Sequence, residues 1–303
     1  MKFDVLIVGG GAAGTAAGIN LARANRNVCI IDDGNPRNRF SEHAHGILGV
    51  DAVRPLELLK RGHQEFESFG GTITRGRVEK LSKEPNGDWT AELSNKMGVS
   101  ASNVLIATGI TDELPQVPGL SELWGKRVFH CPYCHGYEVR GKDIAIVGGE
   151  NPEFTYRISC LLTKWARSVT LFLNGMELPA SQHKQLNACG VSIASSSVET
   201  VSAVPDDNES IEISSPEGCT RFEACFTGPK FIPNDALLRQ VGCAVSNGWV
   251  KVENGKTSQP GIWAVGNVVS SPDQVSQAAG AGAAVAIAID QAMFDNHIQS
   301  LLS

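Results

Sequence analysis

The sequence predicts an α/β protein built from two Rossmann-like nucleotide-binding folds. A strand, glycine turn, helix and strand follow one another over residues 5–32, and a second unit of the same kind covers residues 143–173. A further strand and glycine turn at 261–268 precede a helix expected over about 274–293. Because strands that alternate with helices form parallel sheets, these repeats favour two doubly wound sheets.

The first unit contains the residues that a dinucleotide-binding fold requires. The apolar run 5–8 is typical of a strand buried on both faces, and Gly9, Gly11 and Gly14 follow it as G-x-G-x-x-G. These glycines allow a tight turn, close approach of a pyrophosphate and close packing of a helix whose N-terminus binds the anion. Asp32 ends the next strand at the spacing that reaches a ribose hydroxyl. The complete pattern predicts dinucleotide binding.

Length and composition fit such a protein and exclude other classes. The 303 residues suffice for two domains of ordinary size. The 26 Lys and Arg against 32 Asp and Glu leave a net charge of −6, so the basic excess of a nucleic-acid-binding protein is missing. We find no signal-peptide pattern, and the most apolar tract, 278–289, is shorter than the ~20 residues that span a bilayer. We expect a cytoplasmic protein that binds neither nucleic acid nor membrane.

The string Cys131-Pro132-Tyr133-Cys134-His135 is where we expect the chemistry. Two thiols at this spacing close into a disulfide that carries two electrons per cycle. Three alternatives remain: haem attachment, which requires export; a zinc site, which requires further ligands beside His130 and His135; and two inert thiols. The remaining cysteines are scattered and are interpreted as ordinary reduced side chains: Cys29, Cys160, Cys189, Cys219, Cys225 and Cys243.

Over essentially its full length the chain resembles the low-molecular-weight thioredoxin reductases, a family of FAD-dependent disulfide oxidoreductases. The resemblance implies a discontinuous FAD-binding domain, residues 1–117 and 234–303, and an inserted NAD(P)-binding-like domain, residues 118–233, which carries the redox pair. The family markers occur in order as Gly9-x-Gly11-x-x-Gly14, Asp32, Ala107-Thr108-Gly109, Cys131-x-x-Cys134, Gly148 and Gly266-Asn267 before Gln274.

The resemblance also implies which residues contact FAD, and no metal site is expected. The family has Asp where this chain has Asn267, but an amide oxygen still accepts a hydrogen bond, so we expect FAD to be retained. The implied FAD-binding residues are Gly9, Gly11, Ala12, Ala13, Gly14, Asp32, Asp33, Arg39, His45, Val78, Ala107, Thr108, Gly109, Gly266, Asn267, Gln274 and Val275.

The second glycine turn departs further from the family pattern G-x-G-x-x-A. Here the turn reads Gly148-Gly149-Glu150-Asn151-Pro152-Glu153, so a carboxylate replaces the glycine that admits the pyrophosphate. The His-Arg-Arg cluster that binds the NADPH 2′-phosphate in the family is replaced by Leu173-Asn174-Gly175. Each lost charge-assisted hydrogen bond costs roughly 1.5–3 kcal/mol. We expect weak or absent NADPH binding unless Arg157 or Arg167 compensates.

The longer string 131–138 resembles one branch of the family. That branch includes FAD-dependent dithiol oxidases of epidithio natural products such as gliotoxin and holomycin, and uncharacterised bacterial members. By this resemblance Cys134 contacts the flavin and Cys131 exchanges with the substrate. His135 stands where the family has an acid/base Asp. With an ordinary imidazole pKa of ~6.5 it would take a proton from an incoming thiol, unless it is a structural residue bonded to backbone.

Three functions follow from these features. The first is a dithiol oxidase that passes electrons from a small dithiol through Cys131 and Cys134 to FAD and oxygen. The second is a reductase of a thioredoxin-like protein disulfide, driven by NADPH or ferredoxin. The third is a flavin-bound redox sensor with low turnover that binds a partner. The resemblance further implies a homodimer.

Overall fold

The computed structural model describes residues 2–205, 207 and 210–302, which divide into two compact units. Unit 1 contains the chain up to Arg39, Ile47–Thr111 and the chain from Pro233 onward. Unit 2 contains Phe40–Gly46 and Asp112–Ile232. The predicted α/β class with two Rossmann-like folds is confirmed.

Strands and helices alternate in the first part of each unit, and further strands then follow one another without helices. The strands are β1 (Lys2–Val8), β2 (Val28–Asp32), β3 (Thr72–Arg75), β4 (Val78–Lys83), β5 (Trp89–Leu93), β6 (Gly98–Ile106), β7 (Ile110–Glu113), β8 (Val128–Phe129), β9 (Asp143–Val147), β10 (Ser168–Phe172), β11 (Val191–Ala194), β12 (Thr200–Ala203), β13 (Ile211–Ser215), β14 (Gly218–Phe222), β15 (Ala224–Thr227), β16 (Lys230–Pro233), β17 (Val245–Ser246), β18 (Trp249–Val250) and β19 (Ile262–Ala264). The helices are α1 (Ala12–Arg23), α2 (Pro55–Ser68), α3 (Pro132–His135), α4 (Pro152–Leu162), α5 (Ala180–Ala188), α6 (Ala236–Gln240) and α7 (Val275–Leu302), with 3-10 turns at Arg37–Phe40 and Gly266–Val268.

The sheet of unit 1 joins a parallel half to an antiparallel half. Its order is β3-β2-β1-β6-β5-β4, with β19 also paired to β6. Successive residues of β1 enter two different cores. Val5 and Ile7 pack with α1 and α7, whereas Leu6 and Val8 pack with β4 and β5. Burial on both faces therefore explains the continuous apolar run that opens the chain.

Helix α1 packs against its neighbours at positions that only glycine can occupy. A Cβ on Gly14 would collide with the carbonyl oxygen of Gly9, and a Cβ on Gly282 of α7 would collide with that of Ala13. Gly9 itself has φ +106°, and a Cβ there would lie 2.5 Å from the carbonyl oxygen of Ala107. These contacts fix the N-terminus of α1 beside the ends of β1 and β6.

Unit 2 repeats the nucleotide-binding architecture. Its parallel sheet has the order β11-β10-β9-β15-β8, and a separate antiparallel sheet contains β12, β13 and β14. Successive residues of β9 again enter two cores: Ile144 and Ile146 pack with α4 and α5, and Ala145 and Val147 pack with the antiparallel sheet. The predicted second unit, a strand and glycine turn followed by a helix and a strand, is therefore β9, α4 and β10.

Two segments differ from the expectation drawn from sequence. Helix α7 continues past the predicted end at residue 293 to Leu302, because residues 294–302 contain neither Gly nor Pro. The segment 113–119, whose two prolines disfavour helix and predict a linker that leaves a domain, begins in strand β7, which pairs with β16. Among the described residues, none of the helices has the length and apolar character needed to cross a membrane.

The packing of α7 on α1 predicts opposite effects for two glycines of α7. Gly282→Ala should lose about 1–3 kcal/mol of stability, because its Cβ overlaps the backbone of Ala13. Gly280→Ala should be neutral or gain up to about 1 kcal/mol, because the site is open and alanine is the better helix former. Thermal unfolding of the FAD-loaded variants measures both effects. Equal effects of the two substitutions would contradict the close approach of α1 and α7.

Candidate functional site

Hydrogen bonds around Gly10 fix the first glycine turn. The Gly10 N–H donates to Oδ1 of Asp32 at 3.0 Å, which holds this carboxylate beside the turn. The Gly10 carbonyl accepts from the Thr15 hydroxyl at 2.9 Å and lies 2.9 Å from Nε2 of His63. Arg75 lies 3.6 Å from the other oxygen of Asp32. The Asp32 carboxylate is therefore oriented by the N–H of Gly10 and by the charge of Arg75.

His63 and Arg75 were not predicted from sequence. His63 lies on α2, and no motif marks it. Arg75 ends β3, where the parallel register pairs it directly with Asp32 at the end of β2. Only the pairing of β2 with β3 places Arg75 beside Asp32, and the sequence pattern did not reveal this pairing.

The first turn has the shape that a dinucleotide pyrophosphate requires. A Cβ on Gly11 would have no atom within 4 Å, whereas Gly9 and Gly14 face backbone on either side. Helix α1 begins at Ala12, and no side chain of the described residues caps it. Its first N–H groups therefore face open space, where the helix dipole also favours an anion. Together with Asp32, this cradle fits the ADP half of a dinucleotide.

The turn that follows β6 is tied to the returning chain through Asn234. The Thr108 hydroxyl donates to the Asn234 carbonyl at 2.7 Å, and the Asn234 side-chain amide donates to the Thr108 carbonyl at 3.0 Å. The Asn234 N–H donates to the carbonyl of Gly109 at 3.0 Å. This turn, which also contains Ala107, is thereby held in place by a residue that sequence reasoning missed.

Asn267 lies in the 3-10 turn that follows β19 and contains Gly266. Its Oδ1 accepts the N–H of Asp273 at 2.8 Å. Since an amide oxygen has two acceptor positions, one remains for a ligand hydroxyl. The N–H of Gln274 donates to Gln277 at 2.9 Å, immediately before Val275 begins α7.

Other residues implied as FAD contacts occupy varied surroundings. Asp33 is exposed and accepts the N–H of Asn35 at 3.1 Å. Arg39 is exposed, and its Nη1 donates to the carbonyl of Pro36 at 3.0 Å. Val78 is buried at the start of β4. Their side chains show no shared site comparable with the cradle formed at the first turn.

A disulfide joins Cys131 and Cys134, whose Cα atoms are 5.3 Å apart. The short helix α3 begins directly after Cys131, and the N–H groups of Cys134 and His135 both donate to the Cys131 carbonyl at 3.1 Å. Both cysteines are partly accessible. No cluster of His, Cys, Asp and Glu side chains in the described part of the chain is arranged to hold a metal ion.

His135 is packed among aromatic side chains beside this disulfide. Its ring stacks on Phe129 with centroids 4.2 Å apart, and its Nδ1 is buried with no hydrogen-bond partner among the described residues. Burial lowers the pKa of His135 to about 4, and the nearby His45 acts in the same direction. The expectation of an ordinary imidazole pKa is therefore wrong: His135 is neutral at pH 7 and is a weak base.

His45 belongs to the same unit as the disulfide. Its Nε2 lies 3.7 Å from Oε1 of Glu138, and its ring centroid lies 6.3 Å from that of His43. Its effect on the pKa of His135 places it close to that ring. The fold thus gathers histidines that are far apart in sequence around the end of α3.

At the second glycine turn, residues of the chain itself occupy the N-terminus of the helix that follows. Helix α4 begins at Pro152, which has no N–H, and Oδ1 of Asn151 accepts the N–H of Phe154 at 3.3 Å. The side chain of Glu153 accepts from Gln182 at 2.9 Å. The donors that a helix N-terminus offers to a pyrophosphate are therefore partly missing and partly occupied.

A cavity of about 290 Å³ lies beside the second turn, at the lower end of the ~300–1,000 Å³ typical of ligand pockets. Glu113 and Glu150 line it and share Lys230, at 3.4 and 3.2 Å. The ring of Pro115 covers Gly149, since a Cβ there would lie 2.6 Å from Pro115 Cγ. The cavity is small, and two of its nine lining residues are acidic.

The two arginines considered as replacements for the family's phosphate cluster differ in their surroundings. Arg167 donates to Asp143 at 2.9 Å and to Glu223 at 3.1 Å. Its hydrogen bond lowers the pKa of Asp143 to about 2. Asp143 begins β9, whereas the glycine turn follows the other end of that strand, so Arg167 is held away from the turn. Arg157 is exposed on α4.

Comparisons with known proteins agree with this architecture. The model of the pyridine nucleotide-disulphide oxidoreductase family matches residues 3–282. The crystal structure of HlmI has a TM-score of 0.94 at 36% identity and covers 99% of this chain and 95% of that one. An oxidoreductase of Agrobacterium tumefaciens has a TM-score of 0.88 at 32% identity, covering 97% and 99% of the two chains. The thioredoxin reductase aclD of Aspergillus oryzae is 35% identical over 187 residues, and this match spans 59% of each protein.

These similarities confirm the predicted family and its thioredoxin-reductase-like branch. Proteins of this family are FAD-binding flavoproteins, and the cradle at Gly11, with Asp32 beside it, fits the ADP half of FAD. The chain therefore belongs to the pyridine nucleotide-disulphide oxidoreductase family, a family of flavin-dependent disulfide oxidoreductases, and its cofactor is FAD.

Proposed function

We propose that the protein is a dithiol oxidase in which electrons enter from a small dithiol through Cys131 and Cys134, and not from NADPH. The second glycine turn carries this proposal. Asn151 and Pro152 remove N–H donors from the start of α4, and Glu113 and Glu150 line the adjacent cavity. Each charge-assisted hydrogen bond that a phosphate cannot form there costs roughly 1.5–3 kcal/mol. NADPH binding is correspondingly weak.

The proposed reaction is a double thiol–disulfide exchange. A substrate thiolate attacks Sγ of Cys131, and Cys134 leaves as a thiolate. The second substrate thiol attacks the substrate sulfur of the mixed disulfide and releases Cys131. The substrate is thereby oxidised to a disulfide, and the cysteine pair holds both electrons as two thiols. When bound, FAD supplies the acceptor that reoxidises this pair and delivers the electrons to oxygen.

We assign His135 the role of orienting the attacking thiol. Moving a proton from a thiol of pKa ~8.5 to an imidazole of pKa about 4 would cost roughly 6 kcal/mol, so complete transfer is unfavourable. Because Nδ1 is buried, we assign Nε2 of the neutral ring as the atom that accepts a hydrogen bond from the S–H of the substrate. The ionisation of the substrate thiol then sets the pH dependence of kcat/KM for the dithiol.

We also infer that the protein is a homodimer, as the family resemblance implies. One face of α7 exposes Ile287, Phe294, Ile298 and Leu301, which follow one another at helical spacing. Sedimentation should give twice the mass of one chain, and Phe294→Glu should shift the equilibrium toward the monomer. A wild-type protein that sediments as a monomer at micromolar concentration contradicts the inference.

Anaerobic titration of the oxidised, FAD-loaded protein distinguishes the electron donors. A small dithiol such as dihydrolipoate should bleach the visible flavin band at near-stoichiometric amounts and air should restore it. NADPH at micromolar concentration should leave the band unchanged, because its phosphates lack donors at the second turn. Stoichiometric bleaching by NADPH would instead support the reductase of a protein disulfide.

Cys131→Ser provides the matching test of the thiol route. Without the exchanging sulfur, the dithiol should no longer bleach the flavin. Cys219→Ser is the control, because Cys219 is an exposed free thiol on β14 of the same unit. Unchanged bleaching in Cys131→Ser would refute the role given to this cysteine. Absence of bleaching in the wild type would favour the low-turnover redox sensor.

The depressed pKa of His135 predicts the shape of the pH profile. The rate constant kcat/KM for the dithiol should rise with the ionisation of the substrate thiol and show no inflection between about pH 6 and 7. His135→Gln should lower it by about 10²-fold at most, because orientation rather than strong base catalysis is lost. An inflection near pH 6.5 that disappears in His135→Gln would show that the imidazole acts as the base.

A further inference from the structure

Helices α4 and α5 of unit 2 lie side by side and run in the same direction, because they follow the parallel strands β9 and β10. Two side-chain hydrogen bonds join them. Gln182 donates to Glu153 at 2.9 Å and, one turn further along both helices, Tyr156 donates to Gln185 at 2.7 Å. These contacts define a row along the helix pair.

The same row continues to two cysteines. Both hydrogen bonds join residues that are 29 positions apart, which is also the separation of Cys160 and Cys189. Cys189 also contributes to the raised pKa of Cys160, as only a neighbouring side chain can. Cys160 is partly buried on α4, and Cys189 is exposed directly after α5. The two cysteines are therefore neighbours at the end of the row.

We propose that Cys160 and Cys189 form a second dithiol–disulfide site, distinct from Cys131–Cys134, that reacts with small disulfides such as glutathione disulfide. Closure of a disulfide requires Cβ atoms about 3.5–4.5 Å apart. The register that joins Glu153 to Gln182 and Tyr156 to Gln185 brings Cys160 opposite Cys189 in the same way. No sequence motif marks the pair, because Cys160 lies on α4 and Cys189 directly follows α5.

The accessible sulfur reacts first. The Cys189 thiolate attacks the small disulfide and one small thiol leaves. Cys160 then attacks the Cys189 sulfur of the mixed disulfide, and the second small thiol leaves. The two protein thiols lose two electrons and two protons, and the small disulfide is reduced to two thiols. The product is a covalent bond that joins α4 to the end of α5, two neighbouring helices packed on the parallel sheet of unit 2.

The surroundings of Cys160 make the second step slow at neutral pH. Burial raises the pKa of Cys160 to about 11, and the neighbouring Cys189 contributes in the same direction. Because the thiolate is the nucleophile, ring closure should accelerate about tenfold per pH unit over the alkaline range. A glutathione adduct on Cys189 should therefore precede the cross-link at neutral pH.

The experiment treats the full-length, FAD-loaded protein with glutathione disulfide and maps non-reduced peptides by mass spectrometry. A peptide that links Cys160 to Cys189 is expected, with loss of two alkylatable thiols. In Cys160→Ser, Cys189 should retain one glutathione, because no second thiol displaces it. The exposed cysteine variant Cys219→Ser should cross-link like the wild type.

Two results would overturn the proposal. One is that both thiols stay alkylatable after prolonged incubation at about pH 9. The other is a glutathione adduct on Cys189 that persists in the wild type at that pH, with Cys160 still free. Since the readout is a cross-linked peptide and not turnover, failure here leaves the reaction proposed for Cys131 and Cys134 untouched, and the reverse also holds.

Discussion

The close approach of backbones around α1 is the constraint on which unit 1 depends. Gly14 packs against the Gly9 carbonyl, Gly9 against Ala107, and Gly282 against Ala13, and a Cβ at any of these glycines would collide with backbone. Helix α1 is consequently fixed by its own turn, by the end of β6 and by α7. Anion binding by helix N–H groups needs such a fixed and uncapped terminus. The packing of unit 1 and its cofactor site thus depend on the same contacts.

Unit 2 keeps the packing of its glycine turn although other positions of the turn differ from those of unit 1. Gly148 still packs against the backbone of Leu173, where a Cβ would collide with the carbonyl oxygen, so the strand-to-helix turn keeps its shape. At the next positions of the turn, Glu150 adds a carboxylate and Asn151 caps the helix. Packing and pyrophosphate binding require different residues of one motif. The residues that bind a pyrophosphate can therefore change while the residues that pack the turn are kept.

The features that sequence reasoning predicted are those encoded locally. Glycine spacing and apolar runs specify the two folds and the first cradle, because they depend on neighbours along the chain. His63 reaches that cradle, and Asn234 reaches the turn after β6, only through tertiary packing, and no pattern marks either residue. The pKa of His135 follows from burial, which the string 131–138 does not reveal. The proximity of Cys160 and Cys189 depends on the offset between two helices, so sequence reasoning treated both as isolated cysteines.

Two effects oppose a dinucleotide at the second turn, and their magnitudes differ. Glu113 and Glu150 share a single cation, Lys230, but all three side chains are about half exposed or more, at 51%, 72% and 48%. Charge at such positions is screened over a Debye length of ~8–10 Å, so repulsion contributes modestly. The larger loss is structural: Pro152 offers no N–H, and Asn151 already occupies that of Phe154. To bind there, a dinucleotide would have to displace the Asn151 side chain from the N–H of Phe154. Removing the charge of Glu113 or Glu150 alone would leave this cap in place. These contacts support the proposal that electrons enter through the thiols of Cys131 and Cys134.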